Sequence, residues 1–202
     1  MKTEQELFWE GDFGDNYIER NLGEKLHASN LFFFSKIISN TTGIETVLEI
    51  GANIGMNLVA MSNLLPGAEM SGIEINKKAA KILEGIIDGQ VYCQSFLDYE
   101  IDYQRDFVLS KGVLIHIDPS DLAKAYDCIY NASRLYICIA EYYNPSPVSI
   151  QYRGHTNKLF KRDFAGELMQ RFPDLLLVDY GFVYHGDNNF VQDDITWFLL
   201  KK

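Results

Sequence analysis

The residue types and spacings that suggest chemistry fall into a few short groups. The first is Glu49-Ile50-Gly51-Ala52-Asn53-Ile54-Gly55, which follows the apolar run 47–50 and leads into a helix-like segment. An apolar strand that breaks into a small-residue turn and then a helix brings backbone close to a ligand at the carboxyl edge of an open α/β sheet. Gly51 and Gly55 remove side chains at that approach, and Asn53 is one of the few other residue types that tolerates a left-handed backbone. The second is Glu74, an acid closing the apolar run 70–75, where a carboxylate can accept hydrogen bonds from both hydroxyls of a ribose. Ser95 and Phe96, in Q-S-F-L-D, follow a third strand. Phe96 or Leu97 offers a face to a flat ring or else packs in the core, and Asp98 reads as a turn residue. In S-K-G-V-L-I-H-I-D-P (110–119), Lys111 and Gly112 follow a fourth strand. His116, whose ring titrates near neutrality, either takes a proton from a hydroxyl or is a packed, satisfied residue.

Two further stretches mix aromatic and polar groups. Residues 8–21 hold Trp9, Tyr17 and Arg20 with no clear periodicity, so neither a core strand nor a core helix is expected there. Aromatic faces attract cations, Arg20 can pair with a carboxylate, and the segment can equally serve as a lid over the sheet end. Residues 141–163 hold Tyr142, Tyr143, Arg153, His155 and Arg162 in what reads as an irregular loop suited to a polar, anionic or sugar-like partner. His155 is a second candidate base.

The elements that must position these groups alternate. Helical spacing over 26–38 is followed by a strand at 46–50, a helix at 54–65 ending before Pro66-Gly67, a strand at 69–75 and a helix at 77–87. Short strands at 91–94 and 106–110, a helix at 119–132 and a strand at 135–140 continue the series, which predicts parallel strands with crossover helices. A helix at 162–171 then gives way to two β-rich runs, 175–184 and 195–200, which read as an antiparallel hairpin.

The bulk properties narrow the field. With 202 residues, 47% of them apolar, and no repeat or low-complexity tract, one domain over 1–202 is expected, with 1–25 as an aromatic lid and 141–163 as the acceptor-side loop. The formal charge of −10 disfavours nucleic acid and anionic membrane as partners. No apolar run reaches membrane-spanning length and no signal peptide is read at the start, so a cytoplasmic location is expected. Cys93, Cys128 and Cys138 lack paired spacing and read as buried free thiols, and the four scattered histidines announce no metal site. The oligomeric state stays open.

The strand-turn-helix of 47–57 resembles the acidic-x-Gly-x-Gly-x-Gly motif of class I methyltransferases, with Asn53 in place of the middle glycine. A nicotinamide fingerprint would need G-x-G-x-x-G, whereas these glycines stand as G-x-x-x-G behind Glu49. Together with the F-W-x-G-x-F-G-x-x-Y-x-x-R-N start, the K-G-V-L-I-H-I segment and the Y-R-G-H…F-K-R-D-F-A region, the chain resembles, over nearly its whole length, methylases associated with pseudaminic acid and surface-polysaccharide biosynthesis. The resemblance implies an α/β, Rossmann-like class I methyltransferase sheet, mostly parallel with an antiparallel C-terminal hairpin and helices on both faces. It implies S-adenosylmethionine as cofactor, held by Trp9, Tyr17, Arg20, Glu49, Gly51, Asn53, Gly55, Glu74, Ser95, Phe96, Lys111 and Gly112. It also implies a small sugar-like acceptor near Tyr142, Tyr143, Arg153 and Arg162, with His116 or His155 as base and no metal. Two other readings remain: a cofactor-binding regulatory module without turnover, and a nicotinamide-dependent sugar oxidoreductase.

Overall fold

A computed structural model describes residues 2–18 and 23–202. Its centre is a seven-stranded sheet in the order β3-β2-β1-β4-β5-β9-β8. The strands are β1 (Thr46–Ile50), β2 (Glu69–Ile73), β3 (Val91–Tyr92), β4 (Arg105–Lys111), β5 (Ser133–Glu141), β8 (Leu176–Val183) and β9 (Ile195–Lys201). The first five run parallel; β9 pairs antiparallel with β5 and with β8, completing the predicted hairpin. The central strands are apolar on both faces because both faces are covered. On one side Leu48, Val108 and Ile137 pack with Tyr126 and Ile129 of α6 (Leu122–Ala132) and with Phe164 and Leu168 of α7 (Phe164–Arg171). On the other, Val47, Phe107 and Cys138 pack with Phe33, Phe34 and Ile37 of α3 (Glu24–Ile38), Leu58 and Met61 of α4 (Met56–Leu64) and Leu83 of α5 (Lys77–Leu83).

Most boundaries move by one to three residues, and local chemistry accounts for the larger shifts. Helix α4 begins at Met56 rather than 54 because Gly55, its N-cap, is left-handed. Helix α6 begins at Leu122 because Asp118 first closes a turn, accepting from the Ser120 amide at 2.9 Å. Helix α7 begins at Phe164 because Asp163 caps it through the Gly166 amide at 2.9 Å.

Three expectations are corrected. The amino-terminal stretch is helical: α1 (Glu4–Glu10) opens on a capping box between Thr3 and Glu6, and α2 (Asp12–Tyr17) follows at once. Each is too short to show an apolar period, and their aromatic rings pack on one another, with Phe8 stacked on Phe13 at 4.1 Å. The region after β5 is likewise not irregular. Glu141 is still strand, and β6 (Val148–Tyr152) pairs with β7 (His155–Lys161) as a separate two-stranded antiparallel ribbon. A third correction concerns the thiols: Cys128 and Cys138 are buried and free, but Cys93 is exposed just beyond β3. Among the described residues, no helix is long and apolar enough to cross a membrane.

Candidate active site

The turn after β1 has the backbone its composition calls for. Gly51, Asn53 and Gly55 have φ of 66°, 48° and 83°, all left-handed. At Gly51 and Gly55 a side chain also has no room: a Cβ would stand 2.6 Å from Val113 and 2.5 Å from Leu83. The Ala52 amide donates to the Ile73 carbonyl at 2.9 Å, and the Asn53 amide to Glu74 at 2.7 Å. Glu74 also accepts the Asn76 amide at 2.7 Å, so one carboxylate ties the β1 turn to the β2 turn. Each of its oxygens keeps lone-pair capacity. Burial raises the Glu74 carboxyl above the usual range, against the pull of those amides.

Behind the turn, Glu49 is 1% exposed. One oxygen accepts from Asn57 at 2.6 Å, and the other is buried without a partner among the described residues. Burial raises its pKa, while the Asn57 hydrogen bond and the Lys111 ammonium oppose the rise; burial in turn lowers Lys111, which Glu49 opposes. Lys111 ends β4, and Gly112 next to it is left-handed at φ 69°. Glu141 anchors the following loop, accepting from Ser110 at 2.8 Å and from the Val113 and Leu114 amides at 3.0 Å each. Burial pushes this carboxyl up to about 7.

These segments floor a cavity of about 540 Å³ whose lining includes Gly51, Asn53, Glu74, Ser95, Phe96, Lys111 and Gly112. The opposite wall includes Trp9, Tyr17, His116, Arg153, Gln192 and Asp193. Helices α1 and α2 sit on the cavity through Asn76, which caps α5 and also donates to Asp15 at 2.9 Å. Gly14 permits that seating, since a Cβ there would fall 1.9 Å from the Trp9 carbonyl.

His116 is 7% exposed, between Trp9 (ring centroids 4.7 Å apart) and Tyr152 (4.9 Å). Its Nδ1 lies 2.6 Å from the Lys158 carbonyl, which can only accept, so Nδ1 carries the proton and Nε2 is the ring's accepting atom. Burial lowers its pKa to about 4, so the ring is neutral at physiological pH.

The remaining expected site residues lie apart from this cavity or outside the description. Gly55 and Glu49 stand behind the floor. His155 is exposed and packs against Phe8 (5.0 Å) and Phe13 (6.1 Å), off the lining. Tyr143 faces Phe198 at 5.9 Å. Arg162 forms an ion pair with Glu167 at 2.8 Å. Tyr142 lies near Asp193, a lining residue, without lining the cavity itself. Arg20 lies outside the described residues. Asn57, Asn76, Gln192 and Asp193 take part without having been singled out from the sequence. Only Asn76 had a signal, as an N-cap type directly after a strand. Among the described residues, no group of three or more His, Cys, Asp or Glu side chains is arranged to hold a metal ion.

No family model matches the chain, and no curated protein matches it in sequence. Solved structures do. A S-adenosylmethionine-dependent methyltransferase from Leishmania major superposes with a TM-score of 0.72 at 15% identity, covering 99% of this chain and 87% of its own. The plantazolicin methyltransferase in complex with S-adenosylhomocysteine gives 0.68 at 15% identity, with 98% and 93% covered. The 1,6-didemethyltoxoflavin-N1-methyltransferase of Burkholderia thailandensis, with its acceptor and S-adenosylhomocysteine bound, gives 0.69 at 12% identity, with 94% and 83% covered. The chain therefore has the Rossmann-like class I methyltransferase fold.

Proposed function

We propose that this protein transfers a methyl group from S-adenosylmethionine to a small polar acceptor. One observation carries the reading: a single cavity joins the left-handed turn, Glu74 and the Ser95–Phe96 segment on one side to Trp9, His116 and Arg153 on the other. The residues fit the cofactor. Glu74 has lone pairs for ribose hydroxyls, Phe96 an apolar face for adenine, and Gly112 a left-handed backbone with no atom within 4 Å of where a Cβ would stand. The same fold carries this cofactor or its product in the superposed methyltransferases.

Bound there, the cofactor supplies a methyl carbon on a sulfonium, already a good leaving group. What the protein must add is alignment and exclusion of water, the task of the α1–α2 lid and the β6–β7 ribbon. His116 Nε2 accepts a hydrogen bond or proton from the acceptor's nucleophilic oxygen or nitrogen, and Trp9 and Tyr152 hold the ring in place. His155, Tyr142, Tyr143 and Arg162 would act on an acceptor only by reaching it from beyond the cavity wall, so we assign the chemistry to His116 and acceptor contact to Arg153. The resemblance to pseudaminic-acid-associated methylases makes sugars and nucleotide sugars, in the cytoplasm, the first acceptors to test.

The test is formation of S-adenosylhomocysteine from S-adenosylmethionine in the presence of nucleotide sugars and small hydroxylated or aminated ring compounds, for the native chain and for His116→Ala. Acceptor-dependent product lost in the variant supports the assignment. Product formed equally by both would remove His116 from the chemistry, and tight cofactor binding without turnover of any acceptor would favour the regulatory module.

A further inference from the structure

On the α7 side of the sheet, the edge strand β8 and the residues that follow it expose a run of mostly aromatic side chains. The β8–β9 register puts Tyr180 opposite Phe198 and Leu177 opposite Leu200 on the α7 side of the sheet, and Phe182 opposite Thr196. Tyr180 stacks on Phe198 (6.2 Å), Tyr143 leans on Phe198 (5.9 Å), and Phe182 lies 6.5 Å from Tyr184. The group forms one patch. Tyr180 is 64% exposed, Phe182 57%, Tyr184 54%, Leu177 46% and Tyr143 41%. The one charge in β8, Asp179, accepts from Asn40 at 3.0 Å, next to α3 on the other side of the sheet.

An aromatic side chain brings about 150–250 Å² to a contact, so these fractions leave roughly 500 Å² of uncharged surface open. That lies in the upper half of what a monomer ordinarily exposes in one patch, and twice that area reaches the about 1,000 Å² that a specific interface must clear. Aromatic enrichment with charge depletion is the composition of an interface centre. The patch is apolar, and the charge beside it is internally neutralised, since Arg162, which bridges Tyr143, is ion-paired with Glu167 at 2.8 Å; two copies can therefore meet there on a chain whose net charge of −10 otherwise repels its own copies.

We propose that the β8–β9 face is the contact of a two-fold homodimer, with the aromatic stripes of two copies packed sheet on sheet. The proposal does not depend on the methyl-transfer reading. Because the attraction is apolar and the long-range force repulsive, added salt strengthens this dimer, whereas a basic protein partner on the same face would be released by salt.

The experiment is sedimentation equilibrium of the whole chain up to about 50 μM at low and high salt. It is repeated on Tyr180→Glu/Phe182→Glu and on the gentler Tyr180→Ser, with circular dichroism to verify folding. The expected result is twice the 23.1 kDa chain mass, favoured by salt, with association weakened at least tenfold in either variant. A native chain at single mass throughout, or a dimer that both folded variants retain, overturns the proposal. If the double variant does not fold, Tyr180→Ser alone decides it.

Discussion

The two walls of the cavity are built by different physics. The floor is backbone and buried carboxylate: the left-handed Gly51 and Asn53 in one turn and Glu74 bridging two strand ends, with Glu141 behind it gathering amides of the next loop. The opposite wall is side chain on side chain: Trp9 of α1 and His116 line it in ring contact, and Tyr152 of the two-stranded ribbon packs on His116 from off the lining. A backbone-built wall fixes one ligand shape and tolerates little change. A wall of rings on a detached ribbon can be altered without disturbing the sheet, and in such a design the acceptor, not the cofactor, is the part free to vary. Removing parts of each wall should therefore give effects of different size and kind.

The largest effect is expected at Glu74. Glu74→Ala removes the proposed ribose acceptor and leaves the Asn53 and Asn76 amides without their partner, so S-adenosylhomocysteine affinity should fall by about 100-fold or more. Isothermal titration reads it, and a change below threefold would detach the floor from nucleotide binding. Next comes Gly51→Ala, which places a Cβ 2.6 Å from Val113 at a φ of 66°. The loss should be about 1–3 kcal/mol of stability together with weakened cofactor binding, measured by urea unfolding and titration.

His116 tests the second wall. Its pKa is lowered from 6.5 to about 4, so the unfolded chain binds more protons between those values. The stabilisation from keeping the ring neutral is full above pH 6.5 and is lost as pH falls toward 4, on the order of 3 kcal/mol. His116→Asn retains a donor for the Lys158 carbonyl and should flatten this acid slope in urea midpoints, while turnover drops about 100-fold and cofactor affinity changes little. An unchanged slope would mean the ring titrates normally. Tyr152→Ala should raise the acceptor's KM several-fold, with S-adenosylhomocysteine binding within about twofold. The smallest effect belongs to His155→Ala: lying off the cavity, it should leave kcat within about twofold, and a hundredfold loss would show that the ribbon closes over the site differently.

The difference between the walls also governs what could be read from the sequence. Gly51, Asn53, Gly55 and Glu74 were legible because a left-handed turn and a strand-end acid leave local signatures, and the alternation of β1 through β5 with helices is fixed by period. The helices α1 and α2 were not, because seven and six residues are too few for a period to show. The ribbon β6–β7 was read as irregular because its strands are short and mostly exposed, which erases the alternation that marks a half-buried strand. Glu141 was grouped with the acceptor loop because five buried residues ahead of an acid do not reveal that the acid itself is buried, 2% exposed, as an acceptor for amides far along the chain. Long-range partners such as Asn30 with Gln192, at 3.2 Å, have no local trace at all.

The most direct test of the central claim is calorimetric titration of the native chain and Glu74→Ala with S-adenosylmethionine, S-adenosylhomocysteine and NADH. The native chain should bind the first two and not the third, with both affinities strongly reduced in the variant. Binding of NADH with neither adenosyl ligand bound would contradict that claim and place the glycine turn among the dinucleotide sites.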